Sequence, residues 1–237
     1  MHRNHSRMRE AGAAVVFALV LALGLAFAPQ PAAGQDATEG NFMFRWAFGA
    51  ISGSGNNREI TPVDRDMVLK SGDQLKMLVE AESPCYVYVI HAGEGGSVEL
   101  LFPYEFDRLG DICQASESNY VPKGEPWLAL DNNPGRETFY LLASAQRLTE
   151  LENLLKAYAA AEQDKKAEAG EQVVAEIKNI KKQNRQLSTT AERPVTIGGN
   201  VRGVGAPKGS GVPDVADIAV EISGTGFYAK TFSIEHQ

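Results

Sequence analysis

The sequence predicts a mainly β fold: an antiparallel β-sandwich-like domain with a helical insertion, and a signal peptide at the N-terminus. Three observations carry that expectation. Residues 66–144 hold a series of short β-branched and aromatic runs punctuated by proline and glycine. Phe42, Phe44, Trp46 and Phe48 fall on alternate residues, the period of a strand with one apolar face. Leu148, Leu151, Leu155 and Tyr158, then Val173, Ile177, Ile180 and Leu187, recur instead at helical spacing among lysines and glutamates.

Taken in order, residues 1–34 read as a leader. Arg3, Arg7 and Arg9 precede an apolar run over residues 11–28, and Ala32 and Gly34 suit cleavage after Gly34. Retention as a membrane anchor is the alternative. The run lies near the lower limit of roughly 17–25 residues that span a bilayer, and Gly24, Pro29 and Pro31 weaken a spanning helix, so cleavage is the expectation. A sandwich core is expected over residues 41–147. The Phe42–Phe48 face packs into it, residues 52–57 (SGSGNN) turn, and residues 58–63 re-enter the sheet. Leu75, Met77 and Val79 suggest a strand with one buried face. Residues 86–90 (YVYVI) are apolar on both faces and suit a central strand. Gly93, Gly95 and Gly96 supply a reversal, residues 97–102 return, and Pro103 ends that strand. Residues 127–130 and 138–143 complete the set, and strands so close in sequence favour hairpin or meander pairing.

Residues 148–188 form the helical insertion. Its two stripes are out of phase by one residue with Gly170 between them, so it is either a bent helix or a helical hairpin. Pro194 ends this region. Residues 195–212 are glycine-rich, but Lys208 is followed by Gly209, so no phosphate loop is completed and a bulged strand or surface loop is expected. Ile218, Val220 and Ile222, then Tyr228, Lys230, Phe232 and Ile234, flank Ser223 to Gly226 as a β-hairpin. With it, residues 195–237 are expected to complete the sheets.

The order SGDQL, YVYVI, LFP, YVP and NNPGRETFYLLAS resembles the bacterial domain of unknown function 4384 family over about residues 66–147. Pro84-Cys85-Tyr86 stands where the family commonly has glycine-tyrosine, and Cys113 where it has a small residue. The resemblance implies the β fold and an exported or envelope-associated protein. It also implies a non-catalytic role, since the domain recurs as an appendage to caspase-like peptidase or kinase domains, and no stretch here reads as either. It implies no activity.

The residues themselves point the same way. The formal net charge is −7, from 23 lysines and arginines against 30 carboxylates, which argues against nucleic acid or an anionic membrane surface held by a general field. Outside the leader the histidines are His91 and His236. No short-spaced ligand set for a metal, no G-x-S-x-G elbow and no cofactor fingerprint occurs, so no catalytic, metal or cofactor residue is assigned. Glu94 with Glu99, and Glu105 with Asp107, are carboxylate pairs of no diagnostic spacing. Cys85 and Cys113 are a candidate disulfide in an oxidising compartment, or two buried thiols. Residues 103–119 form the longest irregular stretch, in which Tyr104, Phe106 and Arg108 make a candidate partner-binding loop; Phe106 and Leu109 could equally tuck it onto the sandwich. The expected protein is a periplasmic or secreted, non-enzymatic accessory or binding module of the bacterial cell envelope. It would meet an unidentified envelope protein and touch the membrane only through its export signal. The alternatives are a structural protein self-associating through the helical segment, and a carbohydrate-binding module using Trp46 or Trp127.

Overall fold

A computed structural model describes residues 40–52, 59–185, 191–194 and 214–237. The leader, residues 53–57 of the expected SGSGNN turn, Leu187 and the glycine-rich run over 195–212 lie outside these residues, and Ser52 ends a strand. The described chain is mainly β, in two facing sheets with a pair of helices laid over one of them.

The first sheet is built on β1 (Asn41–Ser52) and β4 (Gln74–Ala81), antiparallel from Phe44 opposite Ala81 to Ile51 opposite Gln74. The other edge of β1 is shared end to end by β2 (Glu59–Pro62) and β11 (Val220–Thr225), with β10 (Ala191–Pro194) beyond β11. The outer edge of β4 is shared by β7 (Ser118–Val121) and β8 (Leu128–Ala129). The second sheet runs β3 (Met67–Leu69), β12 (Phe227–His236), β9 (Gly135–Ser144), β5 (Tyr86–Ala92), β6 (Val98–Phe102), antiparallel apart from the β3–β12 pair.

The alternating aromatics of β1 point into the space between the sheets and meet rings from the opposite one. Phe44 lies edge-on to Tyr228 with centroids 5.4 Å apart, Trp46 to Phe232 at 5.4 Å, and Phe48 to Phe232 and Phe139 at 5.0 and 5.1 Å. These are the offset geometries aromatic quadrupoles favour. Leu75, Met77 and Val79 fill the same layer. The central strand β5 divides as its sequence suggests: Val87 and Val89 face the first sheet, Tyr88 and Ile90 face the helices.

Several expectations are corrected. The strands do not meander. Among described pairs only β1–β2, β5–β6 and β10–β11 join sequence neighbours, because most connections cross from one sheet to the other. The C-terminal segment is not a hairpin: β11 lies in the first sheet and β12 in the second. Ser223 to Thr225 extend β11 against residues 41–43, leaving Gly226 alone (φ 74°) as the link, too short for a two-residue hairpin turn. Ile218 belongs to a short 3-10 turn (Val215–Ile218) rather than to that strand. On β4 both faces are buried, since Val215 and Ala219 cover Leu78 from outside. Only Leu128–Ala129 of residues 127–130 is strand, and the irregular stretch after Pro103 ends in β7.

The helical insertion is a hairpin of α1 (Thr149–Ala160) and α2 (Lys166–Gln183). The chain turns at residues 161–165, not at Gly170, which lies inside α2, and Pro194 belongs to a strand beyond the helices. Leu151, Leu155, Val173, Ile177 and Ile180 pack against Tyr88, Ile90, Tyr140, Leu142 and Phe227 on the outer face of the second sheet. Polar clasps fix the layer: Tyr88 donates to Glu152 at 2.7 Å, the Val98 amide donates to the Tyr158 hydroxyl at 2.9 Å, and Arg147 pairs with the buried Glu152 carboxylate at 2.5 Å. Glu152 is 1% exposed, and its two partners satisfy what would otherwise be a costly buried charge.

Gly170 marks the closest approach of α2 to the β5–β6 turn. A Cβ there would overlap the Gly96 carbonyl oxygen, and Gly96 itself sits at φ 75°. Glycine to alanine inside a helix ordinarily gains about 1 kcal/mol. Here Gly170→Ala is expected to cost about 1–3 kcal/mol through overpacking, read as a lower midpoint in chemical denaturation; an unchanged or raised midpoint would show that the turn does not rest on α2.

Candidate functional site

The two sheets close along most of their length but part at one edge, between β6 and the β7–β8 pair. The opening is an apolar cleft of about 210 Å³ walled by Phe48, Met77, Leu101, Tyr104, Val121 and Phe139. Ligand sites for drug-sized molecules run to roughly 300–1,000 Å³, so this cleft suits a single apolar side chain or a short hydrocarbon segment. Lys123 and Glu99, both largely exposed, stand at its mouth with opposite charges.

Tyr104 is positioned by the strand that precedes it. β6 ends at Phe102, whose ring meets that of Tyr104 edge-on at 5.2 Å, and the Tyr104 hydroxyl donates to the Tyr120 carbonyl of β7 at 2.8 Å. The Lys123 ammonium lies 5.3 Å from the Tyr104 ring. Burial, with nearby Glu117 and Cys113 adding to it, pushes the Tyr104 hydroxyl up to about 12, so it remains a neutral donor bridging the two sheets.

Of the three loop residues singled out from the sequence, Tyr104 and Arg108 line one small depression with Phe102, Asp111 and Glu117, and Phe106 is not among its walls. Tyr104 lines the cleft, Phe106 is 37% exposed, and Arg108 pairs with Asp111 at 3.0 Å on the loop exterior. Leu109 is buried against the helical layer, while Phe106 and Ile112 leave apolar surface facing solvent. Trp46 lies in the core, and Trp127 is half-buried with the Lys76 ammonium 5.7 Å from its ring; neither offers a flat open face. Lys76 is itself buried on the outer side of β4. Its ammonium donates to the carbonyls of Gly124, Glu125 and Pro126 at 2.5, 3.1 and 3.0 Å, pinning the segment that carries Lys123.

His91 lies near the end of β5. It stacks on Phe139 at 4.7 Å, with Nε2 2.5 Å from Glu137 and Nδ1 4.0 Å from Glu99. Ser97 and Glu137 both approach Gly93, yet among the described residues no hydroxyl or thiol is hydrogen-bonded to His91. The described residues contain no group of three or more His, Cys, Asp or Glu that could hold a metal. None of their helices is long and apolar enough to cross a membrane.

Cys85 and Cys113 face each other across an isolated antiparallel bridge, and the Cys113 amide donates to the Cys85 carbonyl at 2.9 Å. Both are buried and carry free thiols. Burial pushes Cys85 up to about 12, with the neighbouring Cys113 adding to it, and Cys113 up to about 11. The sequence did not signal Glu137 as a partner of His91. Lys76 left one trace, a lone cation inside an apolar strand.

Residues 68–147 match the family model described as a domain of unknown function (DUF4384). A search of the curated proteins and one of the solved structures found no match. The matched stretch runs from β3 through β9 and contributes Met77, Leu101, Tyr104, Val121 and Phe139 to the cleft; Phe48 comes from outside it, on β1.

The thiols carry a pH signature. In the unfolded chain they ionise near 9.0, but in the native state only at about 11 and 12. Unfolding therefore releases protons above pH 9, so their contribution to stability is full below that value and is lost as pH rises through the native pKa values. In reducing buffer the denaturation midpoint is expected to fall between pH 9 and 11 more steeply for the native chain than for Cys85→Ala/Cys113→Ala; identical profiles would contradict this.

Proposed function

We propose that this chain is an exported, non-enzymatic binding module of the bacterial cell envelope, and that it captures an apolar group of an envelope partner in the cleft beside Tyr104. The observation that carries the reading is the cleft itself. It is an apolar opening between two otherwise closed sheets, held ready by the Tyr104–Tyr120 hydrogen bond and placed at an exposed sheet edge. The leader-like N-terminus and the family resemblance support the envelope location. The size of the cleft supports a side chain rather than a cofactor as its occupant.

Assembly through the helices is less well supported, because the apolar stripes of α1 and α2 are already buried against their own sheet. Any self-association through that segment would have to use its charged faces. A sugar-binding role has equally little to stand on, since Trp46 packs on Phe232 and Trp127 lies against Lys76.

A photo-crosslinking residue in place of Lys123 at the mouth of the cleft, irradiated in intact cells, tests the reading together with fractionation. A specific adduct is expected in the periplasmic or secreted fraction, on a chain lacking its leader, and it should disappear when Val121→Phe fills the cleft. Retention in the cytoplasm, or adducts indifferent to Val121→Phe, would overturn it.

A further inference from the structure

A second concavity lies on the opposite side of the second sheet, where the last turns of α2 overhang β12. It measures about 480 Å³, within the range of sites for small ligands. Its described walls are Lys178, Lys181, Lys182, Asn184 and Arg185, and its floor is Phe227 and Ala229. No carboxylate is among these residues. Four positive side chains thus share one wall with no acidic residue among its described members.

The helix end explains part of this arrangement and not the rest. Lysines in a last turn are favoured by the partial negative charge of the C-terminal carbonyls, which accounts for Lys181 and Lys182. Lys178 lies a turn earlier, and Arg65, from the segment between β2 and β3, also acts on Lys181. Lys181 is half-buried and reaches inward, donating to the Thr231 hydroxyl at 2.5 Å. Its ammonium is pushed to a lower pKa by burial and by the positive charges of Arg65 and Arg185. Lys181, the half-buried member, feels its like-charged neighbours most, and a bound anion would relieve that repulsion.

We propose that the concavity under the C-terminal end of α2, walled by Lys178, Lys181, Lys182 and Arg185 above Phe227 and Ala229, binds a phosphate group. Lysine ammoniums are compact charges with three rotatable donors that bind phosphate as point charges, and the Arg185 guanidinium is a planar fork that also matches phosphate oxygens. Three or more converging cations match the multiple charge of a phosphate better than the single charge of a carboxylate. The phosphate could belong to a soluble molecule or to a lipid headgroup.

The test titrates the purified native protein with inorganic phosphate and pyrophosphate, and in parallel with vesicles of phosphatidylglycerol or of phosphatidylcholine alone. Binding of a soluble phosphate, or of phosphatidylglycerol vesicles only, is expected to weaken at least tenfold in Lys178→Gln/Lys182→Gln and in Lys181→Gln. The exposed control Lys70→Gln/Lys156→Gln, which removes the same charge outside the concavity, should leave it within twofold. Circular dichroism confirms that each variant is folded. The first arm identifies a free phosphate compound and the second a lipid headgroup. Absence of binding in both arms would overturn the proposal, as would a control that weakens binding as much as the concavity variants.

Discussion

The fold depends on rings of β1 meeting rings of the opposite sheet. Phe44, Trp46 and Phe48 reach across the sandwich to Phe139, Tyr228 and Phe232 in four edge-on pairs. Beyond the burial of their surface, such pairs contribute about 0.5–1.5 kcal/mol each. Four of them are a sizeable share of the ~5–15 kcal/mol by which a domain is stable. Of these partners only Phe139 lies in the stretch that matches the family model. Residues 68–147 therefore do not enclose their own core: β1 and β12 supply the aromatic half of it, from far ends of the chain.

The second constraint is that the second sheet is covered on both faces. β5 and β9 present apolar side chains in both directions, and the helical hairpin occupies the side the first sheet does not reach. The Tyr88–Glu152–Arg147 clasp and the contact of Gly170 with Gly96 set where the hairpin lies. That placement carries the end of α2 over β12 and brings its lysines into one concavity. The apolar cleft has a related origin at the sheet edges: β7 and β8 are short, β6 ends at Phe102, and Tyr104 walls part of the space left between them.

The strands whose side chains declare their own burial were the most legible. The alternation from Phe42 to Phe48 and the two-faced run from Tyr86 to Ile90 are local properties, and both appear where the residues placed them. The candidate site was legible only in part. Tyr104 was visible as an aromatic on a long loop, but its place in the cleft follows from its contacts with the Phe102 ring and the Tyr120 carbonyl across the sheets. The pairing of His91 with Glu137 spans 46 residues and rests on the alignment of β5 with β9, which no spacing announces.

Local chemistry determined by itself which segments extend, which coil and where apolar faces lie, because periods of two and of 3.6 are imprinted residue by residue. It could not determine which sheet each strand would join. That choice turns on contacts between distant residues, and at the C-terminus it falls to Gly226, which sends β11 and β12 into opposite sheets although the same residues read as a hairpin. The break between the helices was likewise settled by packing: Gly170 stays helical because its missing side chain lets α2 lie against the Gly96 turn, and the chain reverses a few residues earlier. The cleft and the basic concavity exist only once sheets and helices are stacked, because each is a gap between elements and not a property of any one of them.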